Sequence, residues 1–219
     1  MSGPDGRDRG TVRARIAAAT RAAHEALHVH PWLCRLQAPD LTLSEYAMLL
    51  RGYLVFFEAV EQRRRSLCVF EPLSLDRGLA ALRADLRGLQ ASLRLPPGLP
   101  LPMPETPRAA LGALYVLHGA RFGAALIDRD IAAALPQAPR HFFGAGHDRR
   151  LWAALTGELD RHGQAAEGYV ALVSAADQTF AAFGRVMTAI CTGPHADVSA
   201  ATPITPRRLS AREEAGPGR

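Results

Sequence analysis

The stretch Leu111-Gly-Ala-Leu-Tyr115-Val-Leu-His118-Gly119-Ala-Arg-Phe-Gly123-Ala-Ala-Leu-Ile127 reads as a helix that carries glycines in its interior. A helix interior disfavours glycine by about 1 kcal/mol relative to alanine, so a local demand must offset that cost. Gly119 and Gly123 lie one turn apart and share a face. With no side chains on that face, the backbone can approach a neighbour closely. Two neighbours fit: a second helix, through a small-xxx-small contact, or a large planar cofactor laid across the helix. The second reading needs a partner elsewhere in the chain.

Working outward, Thr106 and Pro107 form an N-cap and first-turn pair that launches this helix, which is predicted to run to about Leu135, before Pro136. Upstream, Thr42-Leu-Ser-Glu45 is a capping box, followed by a long helix to about Leu67. Further helical patterns run from Thr11 to about Leu27, Asp76 to Leu93, Asp148 to His162, and Ala165 to about Ile190. Pro31 and Pro39 bracket a short connection, Pro96 to Pro104 is too proline-rich for helix, and Gly144-Ala-Gly146 reads as a turn. No strand alternation and no repeat is visible. The expectation is an all-α, single-domain bundle of about six to eight helices. Residues 1–10 are expected to be a disordered N-terminus, 11–192 the helical domain, and 193–219 a disordered C-terminal tail.

Composition agrees. The chain has 219 residues, enough for one full core, and is 48% hydrophobic but only 6% aromatic. Alanine and leucine dominate, and both are strong helix formers. All 26 basic residues are arginine, and the net charge is +5. That balance suits an acidic ligand or acidic redox partner. No basic stripe with interleaved aromatics points to nucleic acid. Cys34, Cys68 and Cys191 are odd in number and widely spaced, which argues against a disulfide framework and for a reducing compartment. No apolar run reaches the roughly 18 residues of a membrane span, and the polar start Met1-Ser-Gly-Pro-Asp-Gly does not resemble a signal peptide. A cytoplasmic location is expected.

The partner for the glycine helix is sought in Thr20-Arg-Ala-Ala-His24-Glu-Ala-Leu-His28. Its His-Glu-x-x-His pattern also matches zinc proteases, in which two histidines one turn apart share a metal. A third ligand would then be needed, and His30-Pro31 ends the helix before one can follow. An ordinary pair of surface helix histidines is the plainer alternative. Taken with the glycine helix, the segment resembles the heme oxygenase family, in its bacterial, biliverdin-producing branch. The resemblance rests on Thr20/His24, on Leu114-Tyr-Val-Leu-His-Gly119-Ala-Arg-Phe-Gly123, and on His141-Phe-Phe-Gly144 through Leu151-Trp152 with Phe180. It spans roughly residues 10 to 190 in the expected order.

The resemblance implies a heme oxygenase-like helical bundle that cleaves heme to biliverdin, ferrous iron and carbon monoxide with O2. Heme b would be both substrate and cofactor, and His24 the proximal iron ligand. The backbone at Gly119 and Gly123 would form the distal wall. Arg21 and Arg149, with Arg150 one register step away, would hold the propionates, and Tyr115 and Phe180 would line the pocket. No flavin or nicotinamide motif is present, so an external electron donor such as a ferredoxin or a reductase is implied. Four positions depart from the family pattern. His28 stands where a carboxylate often orients the proximal histidine. Ala120 replaces a polar residue, Ala124 replaces a second glycine, and His118 replaces a glutamate. His118 either takes over a structural hydrogen bond or reaches the distal iron. The latter would favour a non-catalytic heme sensor or carrier of the same fold.

Overall fold

The computed structural model describes residues 10–91, 98–99, 101 and 104–192, and every regular element among them is helical. The first is α1 (Val12–Ala19), capped by the Thr11 side chain, which accepts from the Ala14 N–H. The predicted helix from Thr11 to Leu27 is in fact two. Thr20 turns its hydroxyl back onto the Ile16 carbonyl at 2.9 Å, and α2 (Arg21–His28) leaves at a bend there. A 3-10 turn over Leu33–Gln37 then leads to α3 (Leu43–Ser66). The Thr42/Glu45 capping box forms as expected, with Arg35 forked onto the Glu45 carboxylate.

Helix α3 is the buried spine. Tyr46, Leu49, Leu50, Phe56 and Val60 are wholly enclosed on it. Its C-terminal end is tied down by Glu61, which is buried and accepts from Arg64, Arg65 and the Leu75 N–H. After a 3-10 turn at Glu71–Leu73 comes α4 (Asp76–Gly88). It ends earlier than the predicted Leu93. Gln90 takes a left-handed φ of 55°, and Pro139 crowds Gly88 so closely that a Cβ there would sit 3.0 Å from its ring.

The glycine segment is not one helix to Leu135. It divides into α5 (Pro107–Gly119), a 3-10 turn over Ala120–Phe122, and α6 (Ala124–Ala134), with the axis bent by 51° at the break. Thr106 and Pro107 start it as predicted. The short α7 (His141–Gly144) follows, its first N–H groups at His141 and Phe142 both donating to the fully buried Asp85 carboxylate at 2.8 Å. Then come α8 (Arg149–Gly163), capped by Asp148, and α9 (Ala166–Thr192).

Helices α5 and α9 pack most intimately, and Gly112 is the reason. A Cβ on Gly112 would lie 2.7 Å from the Ala175 Cβ and 3.0 Å from the Leu172 carbonyl oxygen. Arg108 lies beside Gly168, one turn before Gly112 on α5 and one turn before Leu172 on α9, so the two helices run in the same direction. Helix α2 crosses the far end of α9, where Leu27 and His30 close over Gly184. No single helix among the described residues is long and apolar enough to cross a membrane. The ends expected to be disordered, and most of the proline-rich stretch from Pro96 to Pro104, lie outside the described residues.

Candidate functional site

Close packing belongs to Gly112, and the two glycines singled out by spacing do something different. A Cβ on Gly123 would meet nothing within 4 Å, and one on Gly119 would meet only the edge of the Trp152 ring, at 3.9 Å. Both residues keep right-handed helical backbone, φ −62° and −80°, which any amino acid adopts. Neither backbone conformation nor a second helix therefore explains them. What remains is a bare stretch of main chain at a helix break, facing open space. Phe122 and Leu126 flank it, and they are among the few large apolar side chains left uncovered, at 48% and 47% exposure. The sequence reading did not single out Leu126, three residues after Gly123 and on its face, whereas Phe122 turns to His147 and Trp152.

His24 stands on the exposed side of α2. Its ring touches Phe180 of α9 at 5.7 Å between centroids and meets His28 edge-on at 4.6 Å. Partial burial lowers the His24 pKa below its usual value, and neighbouring His28 adds to this against the pull of Glu25. The ring is therefore neutral near pH 7 and has a lone pair to offer. No side-chain hydrogen bond engages it among the described residues, and His28 does not orient it by one. Among the described residues no group of three His, Cys, Asp or Glu placed to hold a metal ion includes His24 and His28.

The register of α9 relates the two parts. Gly112 meets α9 at Leu172–Ala176, and the helices run parallel, so Gly119 is carried to the level of about Thr179–Phe183, seven residues further along both. His24 rests on Phe180, at that same level. Tyr115, one turn before Gly119, is buried against Trp152 at 6.1 Å. Burial raises its phenol pKa, while the charge of Arg13 on α1 acts in the opposite sense. Arg13 is a cation near this region that the sequence reading did not single out.

The arginine candidates separate. Arg21 opens α2 on its exposed surface, one turn before His24. Arg149 opens α8 and, with Arg150, lines a cavity of about 570 Å3 on the far side of Trp152. Among the described residues no hydrogen bond, ion pair or ring contact joins Arg149 to His24 or Arg21. His118 makes a structural hydrogen bond. Its Nε2 lies 3.0 Å from the Leu73 carbonyl oxygen, which can only accept, so Nε2 carries the proton and donates. Burial lowers its pKa despite that bond. The ring is anchored through Nε2 to the turn before α4, which favours the structural role over the ligand role.

No protein-family model matches the chain, and no curated protein matches it in sequence. Solved structures do match. The heme oxygenase from Leptospira interrogans superimposes with a TM-score of 0.63 at 15% identity, covering 82% of this chain and 99% of that one. Heme oxygenase-1 from the cyanobacterium Synechocystis, in complex with heme, gives 0.63 at 12% identity over 82% and 91%. The NO- and CO-bound heme oxygenase from Neisseria meningitidis gives 0.61 at 22% identity over 82% and 92%. The chain has the fold of the bacterial heme oxygenases.

Proposed function

We propose that this protein is a heme oxygenase that binds heme between α2 and the broken α5–α6 helix and cleaves it to biliverdin, ferrous iron and carbon monoxide. The observation that carries the reading is the uncovered main chain at Gly119–Gly123, at the same height on α9 as a neutral, unengaged His24. The residues fit the group. An imidazole with a free lone pair suits ferric or ferrous iron, and a wall without side chains admits a flat macrocycle.

Heme would supply the iron at which O2 is reduced and the meso carbon that is oxidised, with electrons from an external donor such as a ferredoxin or a reductase. The chain's own tasks are binding, orientation and exclusion. His24 would hold the iron through its imidazole. Its second ring nitrogen has no protein acceptor among the described residues, so the imidazole stays neutral and donates electrons weakly compared with one paired to a carboxylate. Gly119 and Gly123, without side chains, would leave room for the macrocycle and a small ligand. Ala120 adds no hydroxyl there, leaving main-chain groups at the break as the polar partners for water. Phe180 packs behind the imidazole, and Tyr115 and Trp152 close the side at the Gly119 end. Arg21 would offer the propionates a fork of donors, whereas Arg149, the other cation the resemblance implies, lines the cavity beyond Trp152. The carrier or sensor alternative draws on His118 and on Ala120, and the hydrogen bond from His118 to the Leu73 carbonyl weighs against the first of these.

Hemin titration of the wild type against His24→Ala tests the binding step. The expected result is a sharp Soret band in the wild type that is shifted and weakened in the variant. An identical band and affinity in both would reject His24. Reductant in air then tests turnover, with loss of the Soret band and growth of biliverdin absorption expected. A Soret band that survives would leave the protein a carrier.

A further inference from the structure

The cavity behind the glycine helix is lined by four arginines, Arg77, Arg121, Arg149 and Arg150, and by one acidic residue, Asp148. That carboxylate is already engaged. It pairs with Arg77 at 3.0 Å and accepts the first N–H groups of α8. Arg149 and Arg150 make no ion pair among the described residues. Arg121 is the sharper sign. Its Nε and Nη2 donate to the Gly146 carbonyl oxygen at 3.2 and 3.0 Å, while Nη1 is buried with no hydrogen-bond partner among the described residues. A guanidinium cannot shed its charge, and a buried donor without a partner is costly. The guanidinium also lies over the Phe142 ring at 4.4 Å, and Nη1 is enclosed, so an oxyanion in the cavity would meet the uncompensated arginine charge, with guanidinium donors that match carboxylate and phosphate geometry.

The other wall is aromatic. Phe122 stacks on His147 at 4.4 Å and 30°, and Trp152 stands edge-on to Phe122 at 4.6 Å. A volume of about 570 Å3 is far more than an inorganic anion fills.

We infer that this cavity is a second binding site, for an organic oxyanion carried on a flat unsaturated ring. The ring lies against Phe122 and Trp152, and the anionic group meets Arg121 and Arg150. Neither His24 nor Phe180 lines the cavity, and Gly119 itself is not among its lining residues. The inference does not rest on heme binding.

The test uses the full chain with Trp32→Phe, so that Trp152 is the sole tryptophan emitter. The probes are benzene-1,3,5-tricarboxylate and inorganic phosphate. The expected result is saturable quenching by the tricarboxylate in the sub-millimolar range, weakened about tenfold or more by Arg121→Gln and by Arg150→Gln. Phosphate should bind at least about tenfold more weakly, because it leaves the aromatic wall unused. Quenching that never saturates, or that both variants leave unchanged, would overturn the site, and equal affinity for phosphate would overturn the ring requirement. Arg150 is exposed, so its variant carries the test if Arg121→Gln misfolds. Hemin is then added to the probe-bound protein. Retained quenching supports two sites. Stoichiometric displacement would merge the cavity with the proposed heme site and end its claim to be separate.

Discussion

Glycines of identical helical conformation have opposite reasons to be glycine, and space alone separates them. At Gly112 an added methyl would press on the Ala175 Cβ and on the main chain of α9 at Leu172 and Ala176, none of which can swing aside. At Gly123 the same methyl would meet nothing. Gly112→Ala is therefore expected to destabilise the fold by about 1–3 kcal/mol through overpacking, a fall in melting temperature of several degrees. Gly123→Ala should leave the melting temperature unchanged or raise it, since alanine is the better helix former. Thermal unfolding of the two variants side by side decides this. A larger side chain separates folding from binding: Gly123→Leu should melt like the wild type yet lose hemin uptake, because its side chain projects into the space the proposed ligand needs. Normal hemin affinity in that variant would remove Gly123 from the site. Spacing in the sequence drew the eye to Gly119 and Gly123 for one of two reasons, and the tight helix contact proved to lie a turn and more upstream. A lone small residue facing alanines has no sequence signature that distinguishes it from any other alanine-rich helix position.

Elements were legible where their signals are local. Thr42 with Glu45, Thr106 with Pro107, and Asp148 each start a helix where the chain said they would, because a cap is formed by residues within one turn of it. The bend at Thr20 and the early end of α4 were not legible. The first depends on which way a hydroxyl turns, and the second on Pro139 arriving from a distant segment. The end of α3 is likewise held by partners beyond its own turn. Glu61 gathers Arg64, Arg65 and the Leu75 N–H, and so fixes the turn leading into α4. Burial would raise its pKa, but the hydrogen bonds from Arg64, Arg65 and Leu75 outweigh that and hold it down at about 2, against an ordinary 4.5. A carboxylate depressed in the folded state contributes stability that is complete above its unfolded pKa and is lost as pH falls through the folded one. Wild-type stability should therefore decline between about pH 4.5 and pH 2 in part through this group. Glu61→Gln should lose about 3 kcal/mol at pH 7, since it leaves buried Arg64 without its counter-charge, and should show a shallower decline across the acid window. Urea titrations of both proteins at pH 7 and pH 3 measure the difference. An equal stability gap at the two pH values would mean that the carboxylate's charge is not what holds the turn.

At the scale of the whole molecule, α9 does three jobs along one axis. Its first half receives α5 through Gly112, its middle presents Phe180 to His24, and its last turns complete the core beneath α3. The all-helical class and the order of the candidate residues were legible in advance because they follow from composition and from motifs within single helices. The height relation between His24 and Gly119 was not, because it depends on the parallel register of two long helices. That last stretch of α9 also sets where the domain can be cut. Val186, Met187, Ile190 and Cys191 are all buried, and the Met187 sulfur fills the space left by Gly52 so completely that a Cβ there would overlap it. We propose that residues 11–192 are the autonomous unit. A chain ending at Thr192 should then melt and take up hemin like the full protein. A chain ending at Arg185 would lose four buried apolar side chains, each worth about 1.5–3 kcal/mol, a sum comparable to the total stability of an ordinary domain. It should fail to fold cooperatively, read as loss of the thermal transition by circular dichroism. If instead the cut at Thr192 abolished folding, the proposed boundary would be wrong, and residues after 192 would have to contribute to the core.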